Sequence, residues 1–121
     1  MRHQKHGRKL GREKDQRRAL IKTMLGSLIM EEKIKTTEAK AKELKTKIDR
    51  IINRAKAAGE SKEKKVTVRR YLAKTIPQIA AKKLTGDFIG KFDKRTSGYT
   101  RVIKLPRRKS DGARLAIIEF V

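Results

Sequence analysis

The sequence contains no cysteine and no tryptophan, and only five of its 121 residues are aromatic. Without cysteine the chain forms neither disulfide bonds nor zinc ribbons. The two histidines, His3 and His6, have no cysteine and no matching carboxylate near them, so we expect no metal site. The chemistry of this chain therefore has to rest on other residue types.

Long apolar runs are also missing. No stretch approaches the roughly 18–20 apolar residues that span a bilayer. The N-terminus is charged but lacks the apolar segment of a secretory signal. We therefore expect a cytoplasmic protein with no membrane partner.

Catalytic motifs are the third absence. The sequence pairs no nucleophile with a matched base, and no glycine-rich loop has the phosphate-cradling pattern. Ser110, Asp111 and Gly112 form a turn signal and not a catalytic set. We predict that the protein is not an enzyme, needs no cofactor and has no small-molecule substrate.

Positive charge is what the sequence has in excess. Its 35 lysines and arginines against 13 acidic residues give a formal net charge of +22. Such self-repulsion destabilises a compact chain unless a polyanion neutralises it. Phosphate backbones do so with release of counterions, so the composition predicts a nucleic-acid partner.

The charge is divided between two regions. Residues 1–14 form a basic N-terminal extension in which Leu10 is the only apolar residue besides Met1. This segment cannot build a core, so we expect it to be disordered when free and to fold on RNA. A solvated tail without a fixed partner is the alternative. Residues 15–121 are predicted to form one RNA-binding domain, which suits their length.

A long amphipathic helix after residues 34–37 organises the domain. Thr36 or Thr37 is expected to cap it by accepting a backbone N–H of its first turn. Its apolar residues recur at alternating steps of three and four, which places them on one face. They are Ala41, Leu44, Ile48, Ile51 or Ile52, Ala55 and Ala58. The stripe is too short for a coiled coil, so we expect it to pack on the domain's own sheet, with a basic face outside.

Other elements follow from caps and periodicity. Asp15 is expected to cap a first helix, within which Gly26 either permits close packing or is merely tolerated. Thr75 and Gln78 form a capping-box pattern before a fourth helix. Residues 88–92 are expected to form an apolar plug. The predicted helices are 16–30, 61–74 and 76–84, and the predicted strands are 32–37, 99–105 and 115–121. The last two strands should form an antiparallel hairpin, with the first and the long helix over one sheet face.

The candidate RNA contacts lie in the extension, the first helix and two loops near the hairpin. Arginine suits these places because its planar fork binds phosphate through two hydrogen bonds. Tyr99 either stacks on a base or belongs to the core, and the flanking arginines could instead protect an edge strand. The predicted RNA-binding residues are Arg2, His3, Lys5, His6, Arg8, Lys9, Arg12, Arg17, Arg18, Lys22, Arg95, Tyr99, Arg101, Arg107, Arg108 and Lys109.

Two other functions would also suit a basic chain. A DNA-compacting protein usually offers a groove-entering ribbon or an apolar wedge. Here the cations lie on a tail and dispersed loops, which favours an irregular folded RNA. A membrane-active or coiled-coil protein needs a free apolar helix face, whereas this chain requires that face for its core.

Several separated motifs resemble one family. They are MRH at 1–3, GRKLGR at 7–12, IKTT at 34–37, KAKEL at 40–44, GYTRV at 98–102, DGA at 111–113 and IIE at 117–119. In this order and over the whole chain they resemble bacterial large-subunit ribosomal protein seventeen. The resemblance implies an α+β class: a two-layer α/β domain of helix, strand, three helices and a β-hairpin, with a small mixed sheet.

The same resemblance implies a place in the cell. A member of this family would be a structural constituent of the large ribosomal subunit in the cytoplasm. It would bind large-subunit rRNA and contact neighbouring ribosomal proteins near the nascent-chain exit region.

Overall fold

A computed structural model describes residues 10–58 and 62–121 of the chain. The expected disorder of residues 1–14 falls mostly on positions outside the described part. The elements are α1 (Lys14–Glu31), β1 (Lys33–Thr37), α2 (Glu38–Ala58), α3 (Lys62–Thr75), α4 (Gln78–Leu84), a 3₁₀ helix (Asp87–Phe92), β2 (Thr100–Leu105) and β3 (Leu115–Phe120). This order confirms the predicted α+β class.

The three strands form one sheet in the order β1-β3-β2. Ile118 of β3 lies opposite Ile34 on one side and Val102 on the other, and both pairings are antiparallel. The predicted hairpin of β2 and β3 is therefore confirmed, but the expected mixed sheet was wrong. The hairpin makes β3 antiparallel to β2, and the register from Lys33 opposite Glu119 to Thr37 opposite Leu115 shows that β1 also runs antiparallel to β3.

Helix α2 provides most of the cover of this sheet, since it packs against all three strands. Leu44, Ile48 and Ile52 are fully buried, as is Ile118 on the facing strand. The predicted apolar stripe thus lies in the core from Ala41 to Ala55, and the side chain of Ala58 falls outside the described part of the structure. Helix α1, expected on the same sheet face, packs instead mainly on α4 and contacts α2 and β1.

The predicted apolar plug is the 3₁₀ helix. Its Phe88 and Phe92 rings meet edge to face with centroids 5.2 Å apart. Phe120 of β3 lies 5.3 Å from both rings. Edge-to-face contacts suit the charge distribution of aromatic rings. All three phenylalanines of the chain thus meet at the end of the last strand.

Helix α1 begins and ends with features that the sequence did not predict. Glu13 occupies the N-cap position without a side-chain hydrogen bond, and Asp15, the expected cap, lies in the first turn. Its carboxylate still faces the positive end of the helix dipole there. At the C-terminal end Glu32 has a φ of 65° and donates its N–H to Leu28 O at 2.7 Å. Hydrogen bonds from Lys91 and Lys83 lower the pKa of the Glu32 carboxyl.

The start of α4 differs from the predicted capping box. Thr75 ends α3, and its hydroxyl donates to the Tyr71 carbonyl at 3.1 Å. Pro77 is the N-cap of α4 and makes no side-chain cap bond. The Thr75 hydroxyl therefore bonds within α3 and does not cap α4, because a threonine near a helix end readily donates to the carbonyl four residues back.

Gly26 of α1 is buried against Pro77, which settles its role as a close-packing residue. A Cβ at position 26 would lie 2.6 Å from Pro77 Cγ and 2.7 Å from Pro77 Cδ. Real contacts are not so short, so either the ring or α1 would have to move. The glycine therefore sets the distance between α1 and the start of α4.

We expect Gly26→Ala to destabilise the protein by about 1–3 kcal/mol, which is the usual cost of overpacking. Urea unfolding of the free protein measures the loss. Pro77→Ala removes the two ring atoms in question, so the alanine at position 26 should cost far less in that background. An equal loss in both backgrounds would show that Pro77 is not the obstacle.

Candidate nucleic-acid-binding surface

The sixteen predicted contacts divide into two groups. Six of them lie outside the described residues: Arg2, His3, Lys5, His6, Arg8 and Lys9. The other ten are described and lie in three places. These places are the N-terminal half of α1 with the turn before it, the loop before β2 with the start of that strand, and the loop between β2 and β3.

The predicted cations of α1 border a recess between α1, α2 and α3, which we call the basic groove. It has a volume of about 700 Å³. Its cationic lining residues are Lys14, Arg17, Arg18, Lys22, Lys47, Arg50 and Lys74. Ile21, Leu25 and Ile51 contribute apolar surface to the same recess, and Tyr71 lines it too. Cations gathered around a low-dielectric recess focus a positive potential, which attracts polyanions.

Some of these cations are already engaged by the protein. Lys22 Nζ donates to Ala73 O at 3.4 Å and thereby joins α1 to α3. Lys47 Nζ lies 3.8 Å from Glu43, the acidic residue of the groove lining. By contrast, within the described residues the guanidinium groups of Arg17, Arg18 and Arg50 have no ion-pair partner. These three arginines are the groups best placed to bind an anion.

Sequence reasoning missed four of the seven groove cations as members of a site, namely Lys14, Lys47, Arg50 and Lys74. The two α2 residues were visible only as part of a general basic helix face. Lys74 lies on a different helix, and no spacing in the sequence relates it to Arg17. Packing of three helices creates the cluster.

The loop between β2 and β3 is braced by one of its predicted cations. Arg108 Nε and Nη2 donate to the two Asp111 carboxylate oxygens at 2.9 and 3.0 Å. This pair lowers the pKa of the Asp111 carboxyl, and it raises that of the Arg108 guanidinium. Asp111 also accepts the Ala113 N–H at 3.1 Å. Arg108 therefore shapes the turn, while Arg107 and Lys109 are exposed beside it.

The loop before β2 is held by polar side chains of α2. Asp49 accepts the backbone N–H groups of Gly98 and Tyr99, each at 3.3 Å. Asn53 Oδ1 accepts the Tyr99 hydroxyl at 2.5 Å. Lys56 Nζ donates to Phe92 O at 2.8 Å and also bonds Arg95 O. We call these three α2 residues the loop clamp, because together they fix the backbone that carries Arg95.

Tyr99 cannot stack on a base in this structure, so its predicted RNA contact was wrong. Its side chain is fully buried, and its ring packs edge to face on Phe92 with centroids 5.4 Å apart. The core alternative is the correct one. Tyr99 directly precedes β2 and packs against the apolar 3₁₀ helix, so its ring is not exposed to solvent. The Tyr99 hydroxyl is hydrogen-bonded to the loop clamp.

The role of Lys56 in the loop clamp can be tested by substitution. Lys56→Met keeps the length of the side chain but removes the ammonium donor to the Phe92 and Arg95 carbonyls, which then keep only the Arg95 N–H and the Tyr99 hydroxyl as their donors. Each lost hydrogen bond contributes about 0.5–1.5 kcal/mol. We expect faster amide exchange at Arg95, Gly98 and Tyr99, with little change in α1.

Lys45→Met is the matched control, since Lys45 is exposed on the same helix. Hydrogen exchange followed by NMR compares the two variants residue by residue. Identical loop exchange in both would show that the ammonium contributes nothing to loop order.

Arg101 lies on the strand and not on the loop. Its Nε donates to Glu119 Oε1 at 2.8 Å, and Lys33 lies 3.8 Å from the same carboxylate. The register places Arg101 opposite Glu119 and Glu119 opposite Lys33. This charged row crosses the sheet and reaches both edge strands. It agrees with the alternative reading of Arg101 as a charged residue that protects an edge.

Other kinds of site find little support in the described part of the chain. His3 and His6 lie outside the described residues, and no three of the described acidic side chains come together as metal ligands would. None of its helices combines the length and the apolar character that crossing a bilayer requires.

Comparison with known proteins places the sequence among close relatives. The family model for Ribosomal protein L17 matches residues 20–121. A large ribosomal subunit protein bL17 from Rubrobacter xylanophilus is 43% identical over 130 residues, with 100% of this chain and 96% of the relative covered. The bL17 of Staphylococcus epidermidis is 38% identical over 125 residues, covering 94% and 98%. That of Shouchella clausii is 41% identical over 116 residues, covering 93% and 97%.

Proposed function

The chain belongs to the ribosomal protein L17 family, and from this premise we propose that it binds and stabilises folded large-subunit rRNA through phosphate contacts. It is a structural protein of the large ribosomal subunit and not an enzyme. Its binding groups are the cations of the basic groove, those of the two loops beside β2, and those of the N-terminal extension. Arg17, Arg18, Arg50, Arg95, Arg107 and Lys109 are the described residues on which we place most of the contact.

The observation that carries this proposal is the basic groove. Seven cations and one acidic residue line a single recess, and its three arginines have no ion-pair partner among the described residues. A protein that needed only solubility would mix charges of both signs on such a surface. An unbalanced cluster favours a phosphate-rich partner, because each neutralised phosphate releases a counterion.

The rival functions fit the fold less well. The apolar stripe of α2 is buried in the domain core, so that helix has no apolar face left for a bilayer or a coiled-coil partner. The basic groups lie on helices and loops in several directions, which suits an RNA that surrounds the protein. A duplex-DNA architectural protein would instead present a ribbon or wedge to one groove.

We further propose that the neighbouring proteins are those near the nascent-chain exit region. This placement rests on the family resemblance. Cross-linking of purified large subunits, with mass spectrometry of the linked peptides, would identify the proteins that touch this chain. Links only to proteins far from the exit region would contradict the placement.

Sedimentation tests the proposed function itself. A tagged chain expressed in bacteria should travel with large subunits through a sucrose gradient at moderate salt. A variant with Arg17, Arg18 and Arg50 changed to glutamate should shift toward the top of the gradient, because three attractive groups become repulsive. Circular dichroism of the free variant is the folding control. A wild-type chain found with chromosomal DNA and absent from large subunits would overturn the proposal.

A further inference from the structure

The basic groove combines a charged rim with an apolar interior, and simple phosphate binding does not need the second feature. The floor of the recess is formed by the core residues Ile21, Leu25 and Ile51, which are 7%, 3% and 2% exposed, and the half-buried Tyr71 is the aromatic residue of its lining. We infer that the groove holds one unstacked rRNA nucleotide, with its base against Tyr71 and its flanking phosphates at the arginines. This inference rests on the proposed function and specifies what the groove binds.

The size of the recess fits a single nucleotide. Its volume of about 700 Å³ lies within the roughly 300–1,000 Å³ of pockets that enclose small molecules. A double helix could only lie across the rim and would leave the apolar interior empty. A base turned out of its helix would fill that interior, and the backbone on either side of it would pass the charged rim.

Tyr71 has the surroundings of a stacking residue. It is half-buried between α2 and α3, and the Arg54 guanidinium lies over its ring at 4.8 Å from the centroid. Arg54 holds the ring in place through a cation–π contact. Aromatic side chains and guanidinium planes are the usual platforms for bases splayed out of RNA loops. Tyr99 is buried in the core, so Tyr71 is the tyrosine available for this role.

The rim supplies the matching charges. Arg17 and Arg18 lie on the α1 side and Arg50 on the α2 side, so a chain entering the recess passes cations on both walls. An acidic protein segment would also be attracted, but it would gain little from the ring and the aliphatic surface. A nucleotide uses the rim through its phosphates and the interior through its base, so it fits both parts.

The first test needs no substitution. Ultraviolet irradiation of purified large subunits, followed by mass spectrometry, should yield a direct link between Tyr71 and an rRNA base. A chemical protein–protein cross-linker is applied in parallel, and a link from the peptide around Tyr71 to another ribosomal protein, with no ultraviolet link to RNA, would overturn the inference in favour of a protein segment. If the chain sediments with large subunits but Tyr71 forms no link to an rRNA base, the inference also fails, while the proposed function stands.

The second test compares Tyr71→Leu with Tyr71→Phe. Both replacements are apolar, but only phenylalanine keeps a ring on which a base can stack. Loss of stacking weakens binding of a base by about 5- to 150-fold. We expect one nucleotide to become reactive to dimethyl sulfate or a carbodiimide reagent in subunits that carry Tyr71→Leu. The same nucleotide should stay protected in subunits that carry Tyr71→Phe.

The outcomes of this test are distinct. No change in any nucleotide, with both variants present in the subunit, would overturn the inference. Equal exposure in both variants would also overturn it, because it would trace the protection to the hydroxyl and not to stacking. Absence of wild-type chain from subunits would instead count against the proposed function. Thermal unfolding of the free variants shows whether Tyr71→Leu has kept the fold.

Discussion

Deleting residues 1–9 should lower the affinity for a large-subunit rRNA fragment by orders of magnitude at low salt and should flatten its salt dependence. The segment contains Arg2, Lys5, Arg8 and Lys9. Each neutralised phosphate contributes about 0.7–0.9 to the log–log salt slope, so four lost contacts should reduce the slope by about 3 units. If about eight cations of the full chain engage, its slope should be near −7.

The deletion ends before Leu10 because Leu10 packs against the core. A cut after Arg12 would remove this contact and confuse binding with stability. Filter binding across a salt series gives the slopes, and circular dichroism checks the fold. An Arg107→Ala, Lys109→Ala double variant is the comparison, with an expected loss of at most about 2 units. A truncated chain that keeps the full slope would place the binding on the groove and loops alone.

Ile48→Ala should cost about 2–5 kcal/mol of unfolding free energy, because it leaves a cavity in a small core. Ile48 is fully buried in the stripe by which α2 covers the sheet. Lys45→Ala, on the exposed face of the same helix, should change stability by less than about 0.5 kcal/mol. Urea titration of the free proteins measures both. Equal losses in the two variants would mean that Ile48 does not carry the packing of α2.

The sequence predicted best the elements whose pattern is local. The stripe of α2 repeats over several turns, so its buried face was identified down to Leu44 and Ile48. The choice that the sequence left between Ile51 and Ile52 did not arise, because both residues are buried. The hairpin followed from two strand-like runs and the Asp111-Gly112 turn. Both the stripe and the hairpin depend on residues that are close in the sequence, and several such residues indicate each feature independently.

The errors arose where two local roles compete for one residue. Thr75 had the sequence of a cap for α4, yet its hydroxyl serves the end of α3. Tyr99 is suited both to stacking and to packing, and only the position of the 3₁₀ helix decides between them. The type of a residue alone does not determine which of its neighbours it will contact or hydrogen-bond.

The candidate site was harder to predict because it is made by tertiary packing. Arg17, Arg50 and Lys74 come from three helices and share no sequence motif. The charge total pointed to a polyanion, but it could not indicate which cations would meet around one recess. The loop clamp was hidden for a related reason, since Asp49, Asn53 and Lys56 look like ordinary surface residues of an amphipathic helix.

The strand order has a consequence for how the molecule is made. β3 is the central strand, yet it is synthesised after both of its partners. Lys33 of β1, for example, cannot pair until Glu119 of β3 has been made. Until β3 emerges, β1 and β2 have no shared neighbour and the apolar stripe of α2 lacks its central cover. A polypeptide interrupted before Leu115 would therefore expose this stripe, and such surfaces attract chaperones and proteases. Because the central strand is made last, an unfinished chain differs from a complete one in the apolar surface of α2 that it leaves exposed to chaperones and proteases.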